Sequence, residues 1–239
     1  MSKTGKGMPS LSKWIEEPSP SWLAKRKLAS ALRELMGSLS ATNASEDELL
    51  AITEQLSRSA HQLQIQPEMD ERPGVAEGSV AAGSASAGME MFRDRSPVVG
   101  LSNALAPPVT LEPDHEAQEI HGSVFFGPAY EGAPGCVHGG FLAAVLDEAL
   151  GFACIFSGEP GMTGELTIRY LKPTPVETPL RIEARFDRME GRKIYNTGAV
   201  YAGDVKVVEA HGLFISIPRD RFLELRAARL KRQKADAES

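Results

Sequence analysis

Apolar residues between Trp22 and Leu39 recur at helical spacing, in the stripe Leu28, Leu32, Leu35 and Leu39. A second stripe, Leu49, Ile52, Leu56, Ala60 and Leu63, follows Ser45, and Glu48 completes a capping-box signature with that serine. Two amphipathic helices joined by a short turn predict a helical hairpin whose apolar face covers a patch on the main domain or on a partner chain. Residues 67–90 are rich in Gly, Ala and Ser and have no periodicity, which predicts a flexible linker. Residues 1–19 read as disordered for similar reasons.

From residue 91 the pattern changes. Residues 92–113, FRDRSPVVGLSNALAPPVTLEP, predict an irregular lead-in, since Pro107-Pro108 forbids helix there. Ile120, Val124 and Phe126 then alternate with polar or small residues, as in a half-buried strand. A run apolar on nearly every side follows: Phe141, Leu142, Ala143, Ala144, Val145, Leu146, Ala149 and Leu150. Such a helix belongs in a core. Four more alternating runs come after it, separated by turn signals at Glu190-Gly191 and Gly203-Asp204. One buried helix and a meander of antiparallel strands make an α+β fold in which the sheet curls around the helix. A basic amphipathic helix is expected at residues 219–239. The expected division is therefore an N-terminal helical extension (1–66), a linker (67–90), the main domain (91–218) and the tail.

The chemistry is concentrated at the apolar helix. His138, Gly139 and Gly140 stand at its head, and Asp147 and Glu148 interrupt it. A buried carboxylate is costly unless it is paired or used. At 3.6 residues per turn, Asp147 falls about 20° from Gly140 around the helix and roughly two turns below it, whereas Glu148 is rotated a further 100°. The free N–H groups of a helix's first turn polarise a carbonyl oxygen, and glycine lets a ligand reach them. Asp147 would then serve as base for a water or attack directly. A Gly-Gly turn before a packed helix, with Asp147 in a structural hydrogen bond, explains the same letters. His138 suits capping better than proton transfer, and Cys136 with His138 lacks a third group for nucleophilic catalysis.

Composition narrows the class. The 239 residues carry a formal charge of -6, with 42% hydrophobic and 24% charged residues. That balance argues against a nucleic-acid binder. Cys136 and Cys154 are too few for a disulfide framework and suit a reducing compartment. No apolar run approaches the length of a membrane span and no secretory signal is legible, so a cytoplasmic location is expected. His115, His121 and His211 are not in metal-ligand spacing, so no metal is expected.

The segments RSPVVG, PAYEGAPGCVHGGFLAAVLDEALG, TGELTIRYLKPTP and MEGRK, taken together, resemble the hotdog-fold acyl-CoA thioesterases of the PaaI/4-hydroxybenzoyl-CoA type, especially the THEM4-like branch. The likeness covers roughly residues 92–217. It implies a long helix wrapped by a curved antiparallel sheet, assembled as a homodimer or dimer of dimers, with active sites at the subunit interface. It implies Asp147 as the catalytic carboxylate, Gly139 and Gly140 as oxyanion donors, His138 as the residue ordering the helix start, and Thr163 as an aid to the attacking water. Arg169, Lys172, Arg192 and Lys193 would contact CoA, which is part of the substrate, and no cofactor is implied. The expected reaction is hydrolysis of an acyl-CoA to free acid and CoA. A non-catalytic acyl-CoA sensor and a thioesterase acting on carrier-protein-bound acyl chains are the alternatives. Enoyl-CoA hydration ranks lower, because His138 and Asp147 lie at opposite ends of the helical stretch.

Overall fold

The structure, a computed structural model, describes residues 19–67, 94–107 and 109–217 together with Glu224 and Ala228. The expected disordered start, most of the linker, its boundary with the main domain and the C-terminal helix lie outside the described residues. Two N-terminal helices, α1 (Pro20–Ala41) and α2 (Glu46–Gln64), precede strands β1 (Thr110–Asp114) and β2 (Glu119–Phe125). Next come the central helix α3 (Gly139–Ala153) and strands β3 (Gly161–Tyr170), β4 (Pro179–Glu190), β5 (Lys193–Ala202) and β6 (Val205–Ser216). The six strands form one antiparallel sheet in the order β1-β2-β4-β5-β6-β3.

The sheet wraps α3 because that helix has no polar face to offer water. Leu142, Val145, Leu146, Ala149, Leu150 and Ala153 are all buried, against Ile120, Phe126, Ile182, Ile194, Val200 and Phe214 of the strands and loops around them. Small residues seat it. A side chain at Gly198 or Gly212 would press on the Leu150 methyls at 3.1 and 3.2 Å, and Gly198 lies opposite both Ala184 and Ala210. Asn196 donates to the Leu150 carbonyl at 2.7 Å and so ties the end of the helix to β5. The helix with its short 3-10 extension, Gly139–Ser157, is long and apolar enough to cross a membrane by composition. The expectation of no such run missed it because Asp147 and Glu148 break the string of apolar letters. Here it is the core of the sheet.

Two expectations are corrected. The stretch expected to be an irregular lead-in contributes β1, with Leu111 packed over Gly122. Pro113 has no N–H to give a second neighbour, so this strand fits only at an edge, which is where it lies. The capping box of α2 is present, Ser45 and Glu48 exchanging hydrogen bonds, yet α2 buries none of its residues and α1 buries only Ala29. Nor does α1 dock on the domain through its leucines. Arg26 instead makes two 2.8 Å hydrogen bonds to Asp94, a carboxylate only 2% exposed, and Arg33 donates to the Asn103 carbonyl at 2.9 Å. A bidentate guanidinium–carboxylate pair fixes both position and angle, and leaving Asp94 unpaired there costs several kcal/mol. The leucine stripe lies roughly a third of a turn further round, where Leu28, Leu32 and Leu39 are exposed and Leu35 is half-buried.

Candidate active site

At its glycine end, α3 is held by a small network. His138 caps the helix, its Nδ1 accepting from the Gly140 N–H at 3.0 Å. The Tyr170 hydroxyl donates to the Gly139 carbonyl at 2.8 Å. Both bonds fall on the peptide joining Gly139 to Gly140 and fix its plane. The loop before it is tied down as well, with His138 N–H bonded to the Tyr130 carbonyl and Val137 N–H to the Thr174 carbonyl. Among the described residues, the Gly139 N–H has no acceptor. The two glycines therefore differ: the donor of Gly140 is occupied and that of Gly139 is free. An open concavity of about 520 Å³ lies over this end, lined by Val137, Leu142, Leu171 and Pro173 with Lys172 at its side.

Two turns on, the Thr163 hydroxyl donates to Asp147 Oδ1 at 2.8 Å. Strict alternation along β3 would put Thr163 on the outer face with Glu165. A bulge at Gly164 changes that, setting Thr163 opposite the core residue Phe214 while Glu165 sits opposite Leu213. Directly opposed residues share a face, so the bulge turns the threonine toward the helix. The acid that meets it is Asp147. For Glu148, burial, then the neighbouring Asp147 charge, pushes the carboxyl above the ordinary value of 4.5. The Cys154 thiol is driven to about 12, chiefly by burial. It is no nucleophile at neutral pH.

The expected site residues are thus split into two groups. Gly139 and Asp147 are separated by roughly 12 Å along the helix axis, too far to act on one carbonyl within one chain. The four expected CoA-contacting cations are also divided. Arg169 pairs with Glu209 at 2.8 Å, close to Lys172 and the Tyr170 end of β3. Arg192 donates to the Ser216 carbonyl, which lies opposite Gly161 at the other end of that strand, with Lys193 beside it. About 30 Å of strand separates the two pairs. The structure does not gather them into a single patch.

The description "Thioesterase superfamily" belongs to the family model that matches residues 134–209, which run from the loop before α3 into β6. The crystal structure of a thioesterase superfamily protein is 32% identical, with a TM-score of 0.68, and the match covers 80% of this chain and 94% of that one. This chain belongs to the thioesterase superfamily. Acyl-coenzyme A thioesterase THEM4 of Bos taurus is 37% identical over 97 residues, 40% of each chain. Acyl-coenzyme A thioesterase THEM5 of Homo sapiens is 32% identical over 93 residues, 38% of each. The match spans about 40% of the length of these curated relatives. The hotdog arrangement expected from the sequence is therefore present in a superfamily member. Tyr170 belongs to this site too, although the alternating pattern of its strand marks it only as an apolar position. Nothing in that pattern marks its role, because the role comes from the Gly139 carbonyl that the fold places beneath it.

Proposed function

We propose that this superfamily member hydrolyses acyl-CoA thioesters, with each active site built from two copies of the chain. The observation that carries the reading is the Thr163–Asp147 hydrogen bond beside a helix whose far end presents a free N–H. Thr163 occupies one carboxylate oxygen of Asp147 and leaves the other to take a proton from water. The water oxygen bonds to the thioester carbon, the carbonyl oxygen gathers negative charge, and the free N–H of Gly139 receives it. Collapse breaks the carbon–sulfur bond, giving the free acid and, with the proton returned to sulfur, CoA.

A second copy supplies what the 12 Å separation lacks. Strand β3 is a ten-residue sheet edge with no proline to blunt it, unlike β1 at the opposite edge. Such an edge is a template for another strand. Antiparallel pairing of two β3 edges sets the Gly161 end of one copy beside the Tyr170 end of the other. Asp147 and Thr163 of one copy then approach the glycine end of its mate, and the Arg192–Lys193 pair approaches the mate's Arg169 and Lys172. A homodimer thus reunites both divided sets, and its cations suit the phosphates of CoA. The two unpaired cysteines suit a cytoplasmic protein.

The test is an acyl-CoA panel read by release of free thiol, with wild type beside Asp147→Asn. Hydrolysis is expected in wild type and a loss of about 10²–10⁴ in kcat in the variant, with the fold retained. Tight acyl-CoA binding without turnover in wild type would replace this reading with the sensing module.

A further inference from the structure

The two N-terminal helices present apolar stripes that nothing among the described residues fully covers. Leu28, Leu39, Leu56 and Leu63 are 45%, 63%, 40% and 58% exposed, and α2 buries no residue at all. A helix of this length gains most of its stability from burying such a stripe. The charges indicate what buries it. In α1 the exposed cations Lys25 and Lys27 lie in the N-terminal half, the exposed Glu34 follows them, and the stretch from Leu35 to Ala41 is uncharged. In α2 the order of sign is reversed: Glu46, Asp47 and Glu48 fill the first turn, while Arg58 and His61 lie toward the C-terminus.

The short link between the helices permits only antiparallel packing within one chain. Folding back would bring Lys27 beside His61, near Arg58, and leave the acidic first turn against an uncharged end. Parallel packing reverses both outcomes but needs an α1 from elsewhere. In the register that sets Leu32 opposite Leu49, Leu35 meets Ile52 and Leu39 meets Leu56, so the three-four spacing of the stripes agrees. Lys27 then falls within a turn of Glu46 and Glu48. Arg58 falls beside Ala41, at the negative end of α1.

We propose that α2 packs parallel to α1 of a second copy of this chain, and reciprocally, so that two copies form a helical clasp outside the thioesterase domain. Each pairing is the same by symmetry, as an isologous contact requires. The inner face of α1 keeps Arg26 and Arg33 on its own domain, so the clasp uses only the face left open. The inference stands apart from the thioester chemistry and does not depend on it.

Full-length chains with two different tags test it, in a Cys136→Ser background that leaves only buried Cys154 as a native thiol. One carries Leu39→Cys and the other Leu56→Cys. Mild oxidation is expected to link the two tags into one covalent dimer, at several times the yield from a Leu39→Cys and Leu49→Cys mixture. Lys27→Glu should lower that yield roughly threefold, and Glu46→Lys with Glu48→Lys in the partner should restore it. Both cysteine positions are exposed, so the core is untouched. In a further variant carrying Leu39→Cys and Leu49→Cys in the same chain, an internal bond formed at high yield, revealing a folded-back hairpin, overturns the proposal. So does a Leu39→Cys and Leu56→Cys yield no higher than that of either single-cysteine control.

Discussion

On the proposed reading, the two ends of α3 carry different halves of one reaction. At the glycine end everything useful is backbone: a free N–H on Gly139, held in place by His138 and Tyr170 acting on the next peptide. At the acid end the working groups are side chains, Asp147 and Thr163. A helix that places the halves two turns apart cannot bring them to one substrate within one chain. The contrast teaches that, if the proposed chemistry holds, the domain is a complete fold but half a site.

Mixing variants tests that division most severely. Asp147→Asn destroys the acid end, and His138→Ala loosens the glycine end. If each site takes one end from each copy, an equal mixture of the two variants forms some dimers with one intact site. About a quarter of wild-type activity should return from two nearly inactive parents. Recovery of nothing, after exchange of subunits has been verified by mass, would place the whole site within one chain.

Within the acid end, Thr163→Val removes the hydroxyl and keeps the shape. A fall in kcat of about tenfold with little change in KM is expected, and Thr163→Ser should regain most of it. At the glycine end, Tyr170→Phe frees the Gly139 carbonyl. A smaller fall in kcat of about threefold is expected, since the phenol acts through the peptide it holds. Steady-state kinetics on the same acyl-CoA ranks these variants directly.

Glu148 adjoins the acid end and has no part in the proposed reaction, so its effect should be on stability alone. Its folded-state carboxyl is raised above 4.5, first by burial and then by Asp147. The native state therefore holds this proton more tightly than the unfolded chain. The stabilisation is full below the ordinary carboxylate value and is lost as pH rises through the raised one. Glu148→Gln should flatten that decline in denaturant midpoints across the acidic range and leave kcat near wild type.

Much of this was legible before any coordinates. The choice of Asp147 over Glu148 follows from helical phase, and the burial of α3 follows from its lack of a polar side. Thr163 was harder, because period-two counting puts it on the outer face and only the bulge at Gly164 brings it inward. A glycine inside a strand is the available signal for such a bulge. The role of Tyr170 depends on which glycine carbonyl lies beneath it, which spacing cannot give. The outward turn of the α1 leucines was not legible either, since a contact as distant in sequence as Arg26 to Asp94 decides which side faces the domain.

The floor of small residues under Leu150 has an implication for how such a molecule can vary. A side chain at Gly198 or Gly212 would crowd the Leu150 methyls, so on the proposed reading the floor beneath the helix offers no room for adapting to bulkier acyl groups. New specificities have to be written around the rim, in the loops before α3 and after β3, where a change of shape leaves the reacting groups where they are.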